Sequence, residues 1–393
     1  MSDRIGYRVA HWRTLAGMTQ QQLADRLGVT RPYIGMIENG QRAVTKRTLL
    51  IGLAQALGVS TNDLTGQPRP PRTRDDLAIW SAVPLLRGAL DDDPDDTAPV
   101  DVDALAARVD EAMRARMMCD YPLLARLLPG VVADSRRLAE ADDDRAPALF
   151  VRAAVTAALT IKPFGHVDLA ARLAERAELA ATLADDPTCT SAAAFTAAQV
   201  ALASGTVGGQ QRSLTTAAHA AARAVTLDWQ VMLHLHAALS AASLHRPALV
   251  ADHYKAAQEA AAQRPADPWR MEATPANVGV WRVSIAVENG EPERAPEYAG
   301  RVNPHDLRTP QRQARLHLDT ARGHFAAADH DNTVRSLLAA DGIAPSEVRT
   351  RSTVREIVGQ MVRDTRGGGS TALLELARRV GVDPADPDGD PGV

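Results

Sequence analysis

The chain has 393 residues with 44 basic and 48 acidic side chains, a formal charge of −4, and few aromatics at 4%. Two cysteines, Cys119 and Cys189, exclude a disulfide framework. No run approaches the roughly eighteen apolar residues of a membrane span, and the charged start MSDRIGYRVAHW excludes a secretory signal. These exclusions point to a cytoplasmic protein. The charge is uneven: residues 1–74 hold 11 basic and 4 acidic side chains, and the remainder holds 33 and 44. A head of +7 on a body of −11 fits a polyanionic partner for the head alone.

The first element is a helix over 4–16, with Ile5, Val9, Trp12 and Leu15 inward. Thr19 to Gly40 reads as two short helices joined by a tight turn. Thr19 is the N-cap of the first, and Leu23, Ala24 and Leu27 fall on one face. Gly28 suits the left-handed residue that closes a helix. Thr30 caps the second helix, and Pro32 sits where a missing N–H costs little. Tyr33, Ile34 and Ile37 make the inward stripe, which leaves Arg31, Pro32, Gly35 and Met36 outward at the N-terminal end. A fourth helix over 45–57 ends at Gly58, and Ser60 caps a short fifth through Leu64.

Residues from about Ile5 to Leu64 contain the pattern TQxxLAxxxG…IxxIENG and the later LLxGLAQALGVSxxDL. This stretch resembles the lambda-repressor/Cro-like (XRE-type) helix-turn-helix family. The resemblance implies a five-helix head that lays its second motif helix in the major groove of double-stranded DNA. Arg31 is then the base reader, since a guanidinium pairs bidentately with guanine, and Pro32 and Met36 offer apolar contact to a thymine methyl. Gln20 resembles the family's glutamine that bridges phosphate and the reading helix. Thr30, Tyr33, Asn39, Arg42, Lys46 and Arg47 surround this surface as phosphate contacts. A single module makes few contacts, so the expected target is a palindromic operator with half-sites about one DNA turn apart, read by a homodimer. Such a protein is nucleoid-associated.

Three prolines and three arginines in residues 67–74 break all periodicity and read as a semi-rigid, solvated linker over 67–76. From Leu77 the pattern is helical: 75–90, 102–118, 121–141, 145–161, 166–184, 188–204, 210–226, 229–245, 247–263, 275–289, 291–300, 309–328, 330–341, 350–365 and 370–381. DDDPDD (91–96) reads as a loop and GGGS (367–370) as a flexible joint. No stretch offers the alternation of a strand. Thr333, Leu337, Ala340 and Pro345 are spaced like the second half of a tetratricopeptide repeat, and AAHAAARA (217–224) suits the same close packing. The expected architecture is therefore all-α: a head over 1–66, the linker, a tetratricopeptide-like solenoid over 77–381 and a disordered acidic tail over 382–393. An XRE-type head on such a body resembles a group of actinobacterial transcriptional regulators.

Trp229, Tyr254, Trp269 and Trp281 lie within about fifty residues, with His234, His236, His245 and His253 among them. One reading makes Trp229, His234, Tyr254, Trp269 and Trp281 the wall of a ligand pocket; the other makes them core filling and surface histidines. His234 and His236 fall on different helix faces, so no metal site is expected, and no cofactor is implied. No Gly-rich phosphate loop, HExxH or GxSxG is present, so no enzyme is expected. These observations point to a sequence-specific regulator whose body senses a small molecule or peptide. The rival reading is a DNA-tethered scaffold that grips a partner protein.

Overall fold

A computed structural model describes residues 4–91, 100–140, 143–365 and 369–385. Most of the DDDPDD loop, Gly367–Gly368 of the joint, Asp142 and the acidic tail beyond 385 lie outside the described residues. No strand occurs among those described, and 21 α-helices follow one another. Five belong to the head: α1 (Ile5–Leu15), α2 (Gln20–Leu27), α3 (Arg31–Glu38), α4 (Arg47–Leu57) and α5 (Thr61–Thr65). The body begins with α6 (Arg74–Asp91), α7 (Val102–Met117), α8 (Tyr121–Glu140), α9 (Ala146–Ile161), α10 (Val167–Ala181) and α11 (Thr188–Ala203). It continues with α12 (Val207–Arg223), α13 (Leu227–Ser243), α14 (Pro247–Ala262), α15 (Pro275–Glu288), α16 (Ala295–Ala299) and α17 (Pro310–Ala326). The last four are α18 (His330–Ile343), α19 (Pro345–Arg349), α20 (Ser352–Asp364) and α21 (Thr371–Val380).

From α7 to α17 each helix packs on the next, and the odd-numbered ones pack also on the next but one: α7 on α9, α9 on α11, α11 on α13, α13 on α15 and α15 on α17. The odd-numbered helices thus form a continuous inner layer and the even-numbered ones an outer layer, the arrangement of a helical solenoid. Composition explains the division. The inner helices α9, α11 and α13 are alanine-rich and apolar nearly all round, and α13 buries almost every residue from Asp228 to Ser243. A helix touched on several sides needs no polar face, and alanine and serine let axes approach closely. The outer α10 is amphipathic, burying only Leu169, Ala170, Leu173, Ala174, Ala177 and Ala181. Ala146–Phe164 is long and apolar enough for a membrane span by length and composition, a reach the sequence reading denied to every run. It is the mostly buried core helix α9 with its short extension, so its apolar surface faces protein.

The superhelix turns back on itself, since α7 touches α17 ten helices later. Across this closure the Tyr121 hydroxyl donates to the carboxylate of Glu347. Thr333, Leu337 and Ala340 are fully buried where α18 packs on α17, and Pro345 opens α19. The head has a separate core of Ile5, Val9, Leu23, Ala24, Ile34, Ile37, Val44, Leu53, Leu57 and Leu64. Leu15, expected inward, is 66% exposed because α1 ends there, beyond the reach of α3 and α5. At Gly6 an added Cβ would stand 2.0 Å from the carbonyl oxygen of Ile37, so only glycine lets α1 cross the end of α3 so closely.

The head is docked on the body by direct hydrogen bonds. The Ile5 amide donates to Glu356 (2.8 Å), Arg363 to the Gly40 carbonyl (3.1 Å), Arg322 to the Thr45 carbonyl (2.8 Å) and Asn62 to the Gly165 carbonyl (2.9 Å). The segment expected to be a solvated linker is tied down as well. Gln67 donates to the Thr350 carbonyl (3.2 Å) and Arg72 to the Gly381 carbonyl (3.0 Å), and α6 starts at Arg74, inside the span expected to be extended. Proline and arginine content encodes extension, but backbone carbonyls on neighbouring helix ends supply acceptors that only the fold brings near.

Candidate nucleic-acid interface and central cavity

The reading face of the head rests on its helix ends. The Thr19 hydroxyl accepts from the Gln22 amide (3.2 Å) while Gln22 Oε1 accepts from the Thr19 amide (2.8 Å), a reciprocal capping box that starts α2. Gly28 closes α2 at φ 64°. Thr30 occupies the N-cap of α3 but makes no capping hydrogen bond, so its exposed hydroxyl remains available to a ligand. Ile34 and Ile37 are buried, which turns Arg31 and Pro32 fully outward and leaves Met36 at the exposed edge. Arg31 has no partner among the described residues. Tyr33 is half-buried, with the Arg42 guanidinium 5.1 Å from its ring centre, and Asn39 is exposed. Gly35 leaves open space beside Gln20.

Sequence reasoning quoted Glu38 within IENG without assigning it a role. It is buried at the end of α3, one turn after Ile34, and accepts from Arg13 Nε (2.6 Å), Arg13 Nη2 (3.0 Å) and Gln20 Nε2 (2.8 Å). The Glu38 carboxylate holds the Arg13 guanidinium above its ordinary pKa. Three charge-assisted bonds thus tie α1, α2 and α3 together and fix the side chain of Gln20. A carboxylate four residues after a core isoleucine was the available signal, since a charge on a buried face needs partners.

Lys46 and Arg47 do not join the exposed group expected to hold phosphates. Lys46 is the N-cap residue of α4, and that first turn lies over α15 and α17, so both side chains line a cavity between head and body. The Arg47 amide donates to Glu288 Oε2 (3.3 Å), and burial holds the Arg47 guanidinium below its ordinary pKa.

The cavity measures about 350 Å³. Its walls come from the inner layer of the body, through Arg116 of α7, Gln199 of α11, Trp281 of α15 and Arg312, Arg315 and Arg322 of α17, with Lys162 just after α9. Arg322 donates to Glu288 (2.7 Å) and Asp319 (3.2 Å), and Arg315 to Asp319 (2.6 Å). Burial alone would raise the Asp319 carboxyl; Arg315 and Arg322 overcome this and hold it at about 2.

Comparison with known proteins bears on the head. The Helix-turn-helix family model matches residues 9–64. The control protein C.SmaI of Serratia marcescens is 43% identical over 64 residues, which are 16% of this chain and 75% of that protein. The uncharacterised HTH-type transcriptional regulator y4dJ of Sinorhizobium fredii is 39% identical over 64 residues, 82% of its length. The chain belongs to the XRE-type helix-turn-helix family. A propionyl-CoA carboxylase regulator of Cereibacter sphaeroides is 38% identical over 60 residues, 15% of this chain, and the chain spans 13% of its length. The crystal structure of Bacillus thuringiensis PlcR in complex with the peptide PapR7 and DNA is a remote likeness, with 9% identity and a TM-score of 0.32 over 96% of this chain and 93% of that one.

Behind the XRE-type head, the five residues expected to form a ligand wall do not come together. Trp229 and Trp269, 1% and 2% exposed, pack edge-on in the body core, and Trp269 Nε1 donates to Thr188 (2.9 Å). His234 meets His253 of α14 (3.0 Å between Nδ1 atoms), and Tyr254 faces the Arg282 guanidinium 4.8 Å from its ring centre. Of the five, Trp281 alone lines the cavity. Large rings bury most apolar area between layers, which takes Trp229 and Trp269 into the core, while His234 and Tyr254 sit half-buried where α14 packs on α13 and α15. His236 lies in that core too, its Nε2 2.9 Å from the Ser213 hydroxyl. Burial, with Lys162 adding, pushes the His236 imidazole down to about 3.

Proposed function

We propose that this protein is a sequence-specific DNA-binding transcriptional regulator, acting in the cytoplasm at the nucleoid as a homodimer on a palindromic operator. Residues 1–66 are the DNA-binding unit, 67–76 the connection, and 77–381 the sensing and dimerising body. The observation that carries the reading is the outward N-terminal end of α3, where Arg31, Pro32 and Met36 stand exposed on a head whose core is otherwise closed. Arg31 reads a base, and Thr30, Tyr33, Asn39 and Arg42 position the backbone. Gln20, fixed by Glu38, supports the same face. The cavity, with Trp281 and many charged side chains in its wall, favours a body that senses a small molecule or peptide over a scaffold, which would present an apolar groove without enclosed volume.

The mechanism follows from the docking contacts. The first turn of α4 belongs to the head yet forms part of the cavity wall, so an occupant of the cavity touches both units. An effector that favours one head position shifts that population by its differential affinity, and with it the ability of two heads to reach successive grooves. Selection of genomic fragments with purified protein, followed by footprinting, tests the reading. A two-fold symmetric site with half-sites about 34–36 Å apart is expected. Binding no better than to random duplex at low salt would refute it.

A further inference from the structure

The cavity between head and body is lined by eight cationic side chains and three carboxylates. Three of the cations are matched: Arg315 and Arg322 by Asp319 and Glu288, and Arg351 by Glu347. Lys46, Arg47, Arg116, Lys162 and Arg312 have no carboxylate within ion-pair distance among the described residues. Arg116 is 8% exposed, and among the described residues its guanidinium hydrogen-bonds only the Met271 sulfur (3.2 Å). Lys162 Nζ meets the Gln199 amide oxygen (2.5 Å), and Arg312 Nη2 meets that of Gln311 (2.8 Å) while its Nε lacks a partner. The indole N–H of Trp281, 7% exposed in the same wall, also lacks a partner. The stretch beyond residue 74, with 44 acidic and 33 basic residues, thus concentrates unmatched cations at one buried place. Such an arrangement opposes folding by mutual repulsion, and sites that oppose stability mark function.

We infer that this cavity receives a small polyanion, a molecule bearing two or more carboxylate or phosphate charges, held by Arg116, Lys162 and Arg312 and reaching Arg47 of the head. Burial and the neighbouring Arg47 and Arg315 push the Lys162 ammonium down to about 7, which agrees with cations lacking their counter-charge. Guanidinium forks match oxyanions bidentately, and 350 Å³ lies in the range of small-molecule sites. The inference rests on the regulatory reading for its consequence, the coupling to DNA, and stands without it for binding.

The test uses the full chain in isothermal calorimetry and thermal unfolding, with citrate and inorganic pyrophosphate as probes at ionic strength held constant with potassium chloride. One or both probes should bind and raise Tm; citrate alone marks a carboxylate effector, pyrophosphate alone a phosphate one. Arg312→Gln and Arg116→Met should each weaken binding at least about tenfold. Without probe, Arg312→Gln should raise Tm by about 2–4 °C through relieved repulsion. Absence of heat with both probes, or variants that bind as tightly as wild type, overturns the site. Operator affinity measured alongside separates the two readings: an anion that binds without altering it leaves the site intact and removes the regulatory coupling. Operator binding without anion binding does the reverse.

Discussion

Arg322 of α17 donates one hydrogen bond of 2.8 Å to the carbonyl of Thr45, two residues before α4 of the head. The same guanidinium neutralises Glu288 and Asp319, both nearly fully buried. Arg322→Ala should therefore destabilise the chain by about 3 kcal/mol, since removing one partner strands a buried charge. It should also loosen the head from the body. Urea unfolding checks the first effect, and faster amide exchange confined to residues 43–47 checks the second.

Arg31 stands at the outward start of α3 with no partner among the described residues. Arg31→Ala should weaken operator binding by about 1–3 kcal/mol and relax preference at one base pair, while unfolding stays as in wild type. Fluorescence anisotropy against single-base operator variants reads this directly. Uniform weakening on all sequences, with a shallower salt slope, would instead place Arg31 on phosphate.

His236 gives the body a dependence on acid. Its folded pKa of about 3 lies below the ordinary 6.5, so the unfolded chain binds a proton that the folded chain excludes. Stability is then complete above about pH 6.5 and falls on acidification at up to about 1.4 kcal/mol per pH unit. Denaturant curves from pH 7 to 4 should show a loss about 3 kcal/mol smaller in His236→Leu than in wild type.

Lys162 predicts the opposite trend for ligand. It faces Arg47, Arg315, Arg351 and Arg116, and its pKa of about 7 leaves it largely neutral at pH 8.5 before an anion binds. Binding an anion through the ammonium must protonate the Lys162 amine from solvent, so affinity should decline as pH rises through 7 to 9. Sulfate, fully ionised throughout, is the probe of choice. In Lys162→Met its affinity should be weaker and flat across that range.

Local rules were enough to read most helices. Gly28 and Pro247 mark helix ends by backbone preference and Ser60 by its capping hydroxyl, and α14 begins at Pro247 as the pattern indicates. The three- and four-residue spacing of Tyr33, Ile34 and Ile37 made the outward end of α3 legible for the same reason. Side chains with long reach were not legible. Arg47 lies five residues after the exposed Arg42, yet its place in a cavity wall depends on α15 and α17, more than two hundred residues away.

The amino-acid order set an all-helical chain with a basic reading head, because periodicity, caps and motif spacing act within a few residues and need no distant partner. Folding decided where the charges and rings ended up. Closure of the superhelix put Arg116, Lys162 and Arg312 around one space and sent Trp229 and Trp269 into the core. Neither outcome follows from spacing along the chain, since each depends on which inner-layer helices face one another across the cavity.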